Sequence, residues 1–132
     1  MKSRGEKEVM EHEKKIMIVD DAMFMRKLIE KMLRGNGYED IVQAANAEEC
    51  LALYRQVQPD IILLDITMPQ KNGLEVLDEL LNENADAYVI MCSALGQEEL
   101  IAAALRKGAR DFIVKPFTEA QLLQVLAALG DQ

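Results

Sequence analysis

Five polar side chains stand at the ends of apolar runs: Asp20 and Asp21 after IMIV, Asp65 after IILL, Ser93 after VIMC and Lys115 after DFIV. If these ends converge, three carboxylates share one site. Two carboxylates about 5 Å apart repel by roughly 3 kcal/mol at an effective dielectric near 20, so such a cluster requires a cation. Oxygen donors without His or Cys favour a hard ion, and a small octahedral Mg²⁺ that keeps several waters suits two or three carboxylates better than the larger cage of calcium. Lys115 offers a second positive charge. A divalent ion beside a lysine and a hydroxyl is an arrangement that stabilises a transferring phosphoryl group, whose charge spreads over three oxygens.

The elements that must position these groups follow from the pattern of apolar residues. Short apolar runs at Ile16–Val19, Ile41–Ala45, Ile61–Leu64, Tyr88–Cys92 and Phe112–Val114 alternate with amphipathic segments, the pattern of a parallel α/β sheet. Met25, Leu28, Ile29 and Met32 recur at helical spacing, as do Leu122, Val125, Leu126 and Leu129, so each set predicts one apolar stripe laid on the sheet. Asn46 with Glu49, and Thr118 with Gln121, predict helix starts, the second as a capping box. Gly35, Gly37 and Gly108 predict helix ends. In a doubly wound sheet ligands bind beyond the carboxyl ends of the strands. The polar groups at four of the five strand ends are therefore expected on one rim.

Composition excludes several function classes. The 132 residues suffice for one hydrophobic core, and half of them are apolar. A net charge of −8 argues against a nucleic-acid surface, which needs clustered Lys and Arg. No apolar run approaches the roughly 20 residues of a membrane span, and MKSRGEKEVMEHEKK lacks the apolar segment of a signal peptide, so a cytoplasmic protein without membrane insertion is expected. Cys50 and Cys92 lie in apolar surroundings without metal-site spacing and are expected as reduced, buried thiols. The sole histidine, His12, falls in the charged leader, which argues against a zinc site or a His-based triad. Residues 1–14 read as a mobile N-terminal extension and residues 15–132 as the domain.

DD after the first strand, DITMPQKNG after the third, SA after the fourth and KPF after the fifth resemble the receiver domain of two-component response regulators. The resemblance covers about residues 15 to 130. DDAMFMRK, with no output domain, is most similar to the stand-alone chemotaxis regulators. It implies a flavodoxin-like sheet of order 2-1-3-4-5 flanked by five helices. It further implies that Asp65 is the phosphoacceptor, attacking a donor phosphohistidine of a sensor histidine kinase to form an acyl phosphate. Asp21 and Asp65 would ligate Mg²⁺ directly, Asp20 through water, and Thr67 through its backbone carbonyl. Lys115 would pair with phosphoryl oxygens, Ser93 would hydrogen-bond to one of them, and a cis bond would join Lys115 to Pro116. Phosphorylation adds close to two negative charges. The resemblance implies that Ser93 would then be drawn toward the phosphoryl group, and that Phe112 would be the switch aromatic that fills the vacated space. Phe112 stands where chemotaxis regulators often have Tyr, so the switch would rest on packing without a hydroxyl. By the same resemblance Thr67 and Leu95 would occupy the positions that set the phosphate lifetime, and the apolar Leu95, which could shield the acyl phosphate from water, implies slow self-hydrolysis. The downstream target would be the flagellar motor switch, the protein would act as a monomer, and it would be no enzyme toward an outside substrate.

Each role has a plainer rival. Asp20 and Asp21 could form a turn and helix cap, Asp65 a strand-ending turn, Ser93 a turn hydroxyl, Lys115 a solvated surface group and Phe112 ordinary core. Met17, Met23, Met25 and Met32 read as core filling. Among other functions, a haloacid-dehalogenase-type phosphatase needs a second Asp two residues after its nucleophile, where this chain has Thr67. A flavodoxin-like flavin carrier wants a hydroxyl- and glycine-rich loop after the first strand, where this chain has two acids. A phosphorelay intermediate that passes its phosphoryl group to a histidine phosphotransfer protein differs from a chemotaxis messenger only in its partner.

Overall fold

The computed structural model describes residues 13–130. Five parallel strands lie in the order β2-β1-β3-β4-β5. They are β1 (Ile16–Val19), β2 (Ile41–Ala44), β3 (Ile61–Asp65), β4 (Val89–Ser93) and β5 (Asp111–Val114). Alternating with them are α1 (Met23–Gly35), α2 (Ala47–Val57), α3 (Gly73–Glu83), α4 (Glu98–Lys107) and α5 (Glu119–Gly130). The expected fold class and strand order are both present. The extension assigned to residues 1–14 lies outside the described residues apart from Glu13 and Lys14.

Strand side chains alternate between faces, so the sheet divides the core in two. Met17, Val19, Ile62, Leu64, Val89 and Met91 pack with Cys50 and Tyr54 of α2, Val76, Leu77 and Leu80 of α3, and Ile101 and Ala104 of α4. Ile16, Ile18, Ile61, Leu63, Ile90 and Cys92 pack on the other face with Ile29 and Leu33 of α1 and Leu122 and Leu126 of α5. Cover on both faces explains why β1, β3 and β4 are continuous apolar runs. Cys50 and Cys92 are free and buried, and burial pushes both thiols up to about 12. No helix among the described residues is long and apolar enough to cross a membrane.

Several boundaries differ from the sequence expectation. β2 stops at Ala44 because the Ala45 N–H donates to the Glu49 side chain (2.7 Å), completing the start of α2. β3 extends to Asp65, and the Ile66 N–H continues its ladder by donating to the Cys92 carbonyl (3.0 Å). The α1 stripe is rotated: Met25, Ile29, Met32 and Leu33 face the core, whereas Leu28 is 36% exposed. Met23 is not core filling. It stands in the first turn of α1, directly beyond the sheet rim, and is 59% exposed. Thr118 and Gln121 form the expected reciprocal cap, and a second box, Asn72 with Glu75, opens α3. Gly108 ends α4 at φ 126°, a backbone setting suited to glycine.

Candidate functional site

The rim beyond the strand ends gathers the acids. Asp20 follows β1, its N–H donating to the Ala44 carbonyl (3.1 Å), and its side chain is buried. Asp21, one residue on, is exposed. Asp65 closes β3 and is buried. One carboxylate oxygen from each of the three lies within 4.8 Å of the others. The convergence expected from the sequence is therefore present for all three acids.

Lys115 reaches this cluster from the end of β5. Its N–H donates to the Ser93 carbonyl (2.7 Å), which holds the residue beside the end of β4, and its peptide bond to Pro116 is cis, as expected. Its Nζ donates to Asp20 Oδ2 at 2.7 Å and sits 3.4 Å from Asp65 Oδ1. Burial pulls the ammonium down, but the hydrogen bond to Asp20 and the charges of Asp65 and Asp20 outweigh that and raise it above its ordinary value. Lys115 is thus a fixed cation and not a solvated surface group. Asp20 does make the local turn contact that a cap reading predicts, accepting from the Ala22 N–H at 2.9 Å. Its second oxygen is nonetheless committed to Lys115, which a cap alone does not explain.

Burial pushes the Asp65 carboxyl up to about 6, and Asp20 adds to the rise against the opposing pull of Lys115 and of the Thr67 N–H, which donates to Asp65 Oδ1 at 3.3 Å. A single lysine among three acids leaves the rim with surplus negative charge. The donor set is wholly oxygen, so it fits a hard divalent ion. Mg²⁺ satisfies both requirements, with Asp20, Asp21 and Asp65 as the residues placed to hold it and the Thr67 carbonyl as the further group the sequence expectation assigns.

Ser93 closes β4 with its side chain fully buried, and its Oγ has no hydrogen-bond partner among the described residues. A buried hydroxyl left unpaired costs about 1–3 kcal/mol, which a turn hydroxyl would avoid. Phe112, on β5, is 39% exposed and therefore neither core nor free. It borders a cleft of about 270 Å³ together with Leu95, Ile101, Leu105 and Val114. Thr67 is exposed, and its hydroxyl accepts from the side-chain amide of Gln97 (2.7 Å).

Three supporting residues escaped the sequence reading. Arg26 donates to the backbone carbonyl of Asp20 (2.7 Å) and to the Gln43 side chain (3.1 Å), tying the acidic loop to α1 and β2. Nothing in its spacing announces this. Gly73 opens α3 against the Asp65 loop, where a Cβ would fall 2.4 Å from the Asp65 carbonyl oxygen. Gln97 is the N-cap of α4, a position usually held by a shorter side chain, and that mismatch was the available signal.

Comparison with known proteins agrees with this geometry. The family described as "Response regulator receiver domain" matches residues 16–127. The chemotaxis protein CheY of Listeria monocytogenes is 46% identical over 85% of this chain and 94% of its own length. CheY of Bacillus subtilis is 42% identical over 85% and 93%. Among solved structures, the CheX-CheY-BeF₃-Mg²⁺ complex from Borrelia burgdorferi superposes with a TM-score of 0.83 at 38% identity, covering 88% of each chain. The chain belongs to the response regulator receiver domain family of two-component signalling and is similar within it to the CheY chemotaxis proteins.

Proposed function

We propose that the protein accepts a phosphoryl group on Asp65 from a sensor histidine kinase in a Mg²⁺-dependent step and thereby switches its binding to a downstream target. The observation that carries this reading is Lys115 Nζ between Asp20 and Asp65, with the third acid within 4.8 Å. An Asp65 oxygen attacks phosphorus, the bond from phosphorus to the donor imidazole nitrogen breaks, and that nitrogen keeps the electron pair. The product is an acyl phosphate on Asp65. Mg²⁺ at Asp20, Asp21, Asp65 and the Thr67 carbonyl would supply Lewis-acid stabilisation of charge on the phosphoryl oxygens. Lys115 stabilises the same oxygens by ion pairing, and the unpartnered Ser93 hydroxyl donates to one of them. The elevated Asp65 carboxyl explains why positive charge is required, because the nucleophile must be ionised.

The switch reading rests on Ser93 and Phe112. Moving the Ser93 hydroxyl toward the phosphoryl group frees space beside β4, and Phe112 at the cleft edge turns inward to fill it. The changed face is α4, β5 and α5. Similarity to CheY supports a role in the cytoplasm as a monomeric chemotaxis messenger acting on the flagellar motor switch, without enzymatic turnover of an outside substrate. Label transfer from an autophosphorylated chemotaxis histidine kinase tests it. Label is expected on wild type and absent from Asp65→Asn, and equal labelling of both would overturn the assignment.

A further inference from the structure

We propose that the Gln97 side chain is a latch that holds the loop between β4 and α4 against the loop between β3 and α3 in the unphosphorylated protein, and that it releases when Ser93 engages a phosphoryl group on Asp65. The inference deepens the proposed function and rests on it.

Both ends of the Gln97 carboxamide are committed. Its oxygen accepts from the Ala94 N–H at 2.6 Å, and its nitrogen donates to Thr67 Oγ1 at 2.7 Å, thirty residues away in sequence. Gln97 is the N-cap residue of α4, yet its side chain makes no capping bond to that helix. An N-cap side chain ordinarily satisfies a free N–H of its own first turn. Here it turns back to the loop instead.

The two loops joined are those of the reacting residues. Thr67 bonds Asp65 Oδ1 through its own N–H, so the first loop carries the phosphoacceptor. Ala94 directly follows Ser93, whose buried hydroxyl has no partner among the described residues, so fixing Ala94 fixes the backbone that aims that hydroxyl. Ala94, Leu95, Gly96 and Gln97 also form one wall of the cleft beside Phe112. One contact therefore governs the phosphoacceptor loop, the hydroxyl and the space available to the aromatic ring. Gln97 touches no reacting atom and is a positioning residue.

Gln97→Met keeps the side chain's length and removes both hydrogen bonds, and it is compared with wild type in two measurements on the full chain. Amide exchange followed by NMR, without ligand, is expected to show the Ala94 N–H about tenfold faster in the variant. Beryllofluoride, a phosphoryl mimic, titrated in saturating Mg²⁺ is expected to bind the variant at least about threefold tighter, because the latch no longer opposes loop movement. Mg²⁺ affinity without beryllofluoride should stay within about twofold, since Gln97 bonds none of the three acids. Thr67→Val should give part of the gain, and the double variant no more than Gln97→Met alone. Unchanged Ala94 exchange, or beryllofluoride affinity equal to or below that of wild type, overturns the latch. Failure of wild type to bind beryllofluoride, or equal binding by Asp65→Asn, overturns the phosphoacceptor reading instead, and the exchange measurement separates the two.

Discussion

Under the proposed function Asp65 combines two demands that pull apart: it would have to be ionised to act as a nucleophile, and it is buried at the end of β3. Its carboxyl is held at about 6 against an ordinary 3.8, so the folded protein holds this proton more tightly than the unfolded chain does. The stability gained from that is complete below the unfolded value and is lost as pH rises through about 6. Asp65→Asn cannot ionise and should keep it. In EDTA the variant is expected to exceed wild type by about 2 kcal/mol near neutral pH, the difference vanishing below about pH 4, as read by urea unfolding across pH. Mg²⁺ competes with the same proton. Its affinity, followed by calorimetry, should fall about fourfold between about pH 7.5 and 5.5, and an affinity independent of pH would contradict this ionisation.

At the scale of elements, two changes at the start of α3 should separate helix capping from loop geometry. Asn72→Ala removes the capping box and is expected to cost about 1 kcal/mol without altering Mg²⁺ affinity. Gly73→Ala places a Cβ 2.4 Å from the Asp65 carbonyl oxygen and 2.6 Å from Ile66 Cα, backbone atoms that cannot step aside alone. It should cost about 3 kcal/mol or more and weaken Mg²⁺ binding as the Asp65 loop shifts. The same elements show what the sequence made legible. Buried strands such as IMIV and IILL were readable because cover on both faces demands unbroken apolar runs, and the acids after them therefore fell on one rim. The register of α1 was not. Its first turn lies beyond the rim, which leaves Met23 in solvent, and the rotated stripe turns Leu28 of the second turn outward, although both look like core residues by type. Arg26 was invisible because a long polar side chain reaches partners that no local spacing encodes, and Gln97 announced itself only as a poor N-cap, not by its bond to Thr67 thirty residues away.

At the scale of the molecule, β3, which carries Asp65, and β5, which carries Phe112, both pair with β4, so under the proposed switch a charge added at Asp65 would lie a single strand away from its readout. The chain contains no Trp, so Phe112→Trp gives a single tryptophan, at the cleft, that can be excited selectively over the three tyrosines. Its emission is expected to shift to shorter wavelength on adding beryllofluoride with Mg²⁺, as the ring turns inward, whereas a fixed spectrum would contradict the aromatic switch. The central claim is a covalent one, and intact-mass spectrometry after incubation with acetyl phosphate tests it most directly. One Mg²⁺-dependent phosphoryl adduct on wild type, absent from Asp65→Asn, is the expected result. No adduct on wild type in the presence of Mg²⁺ would contradict the account.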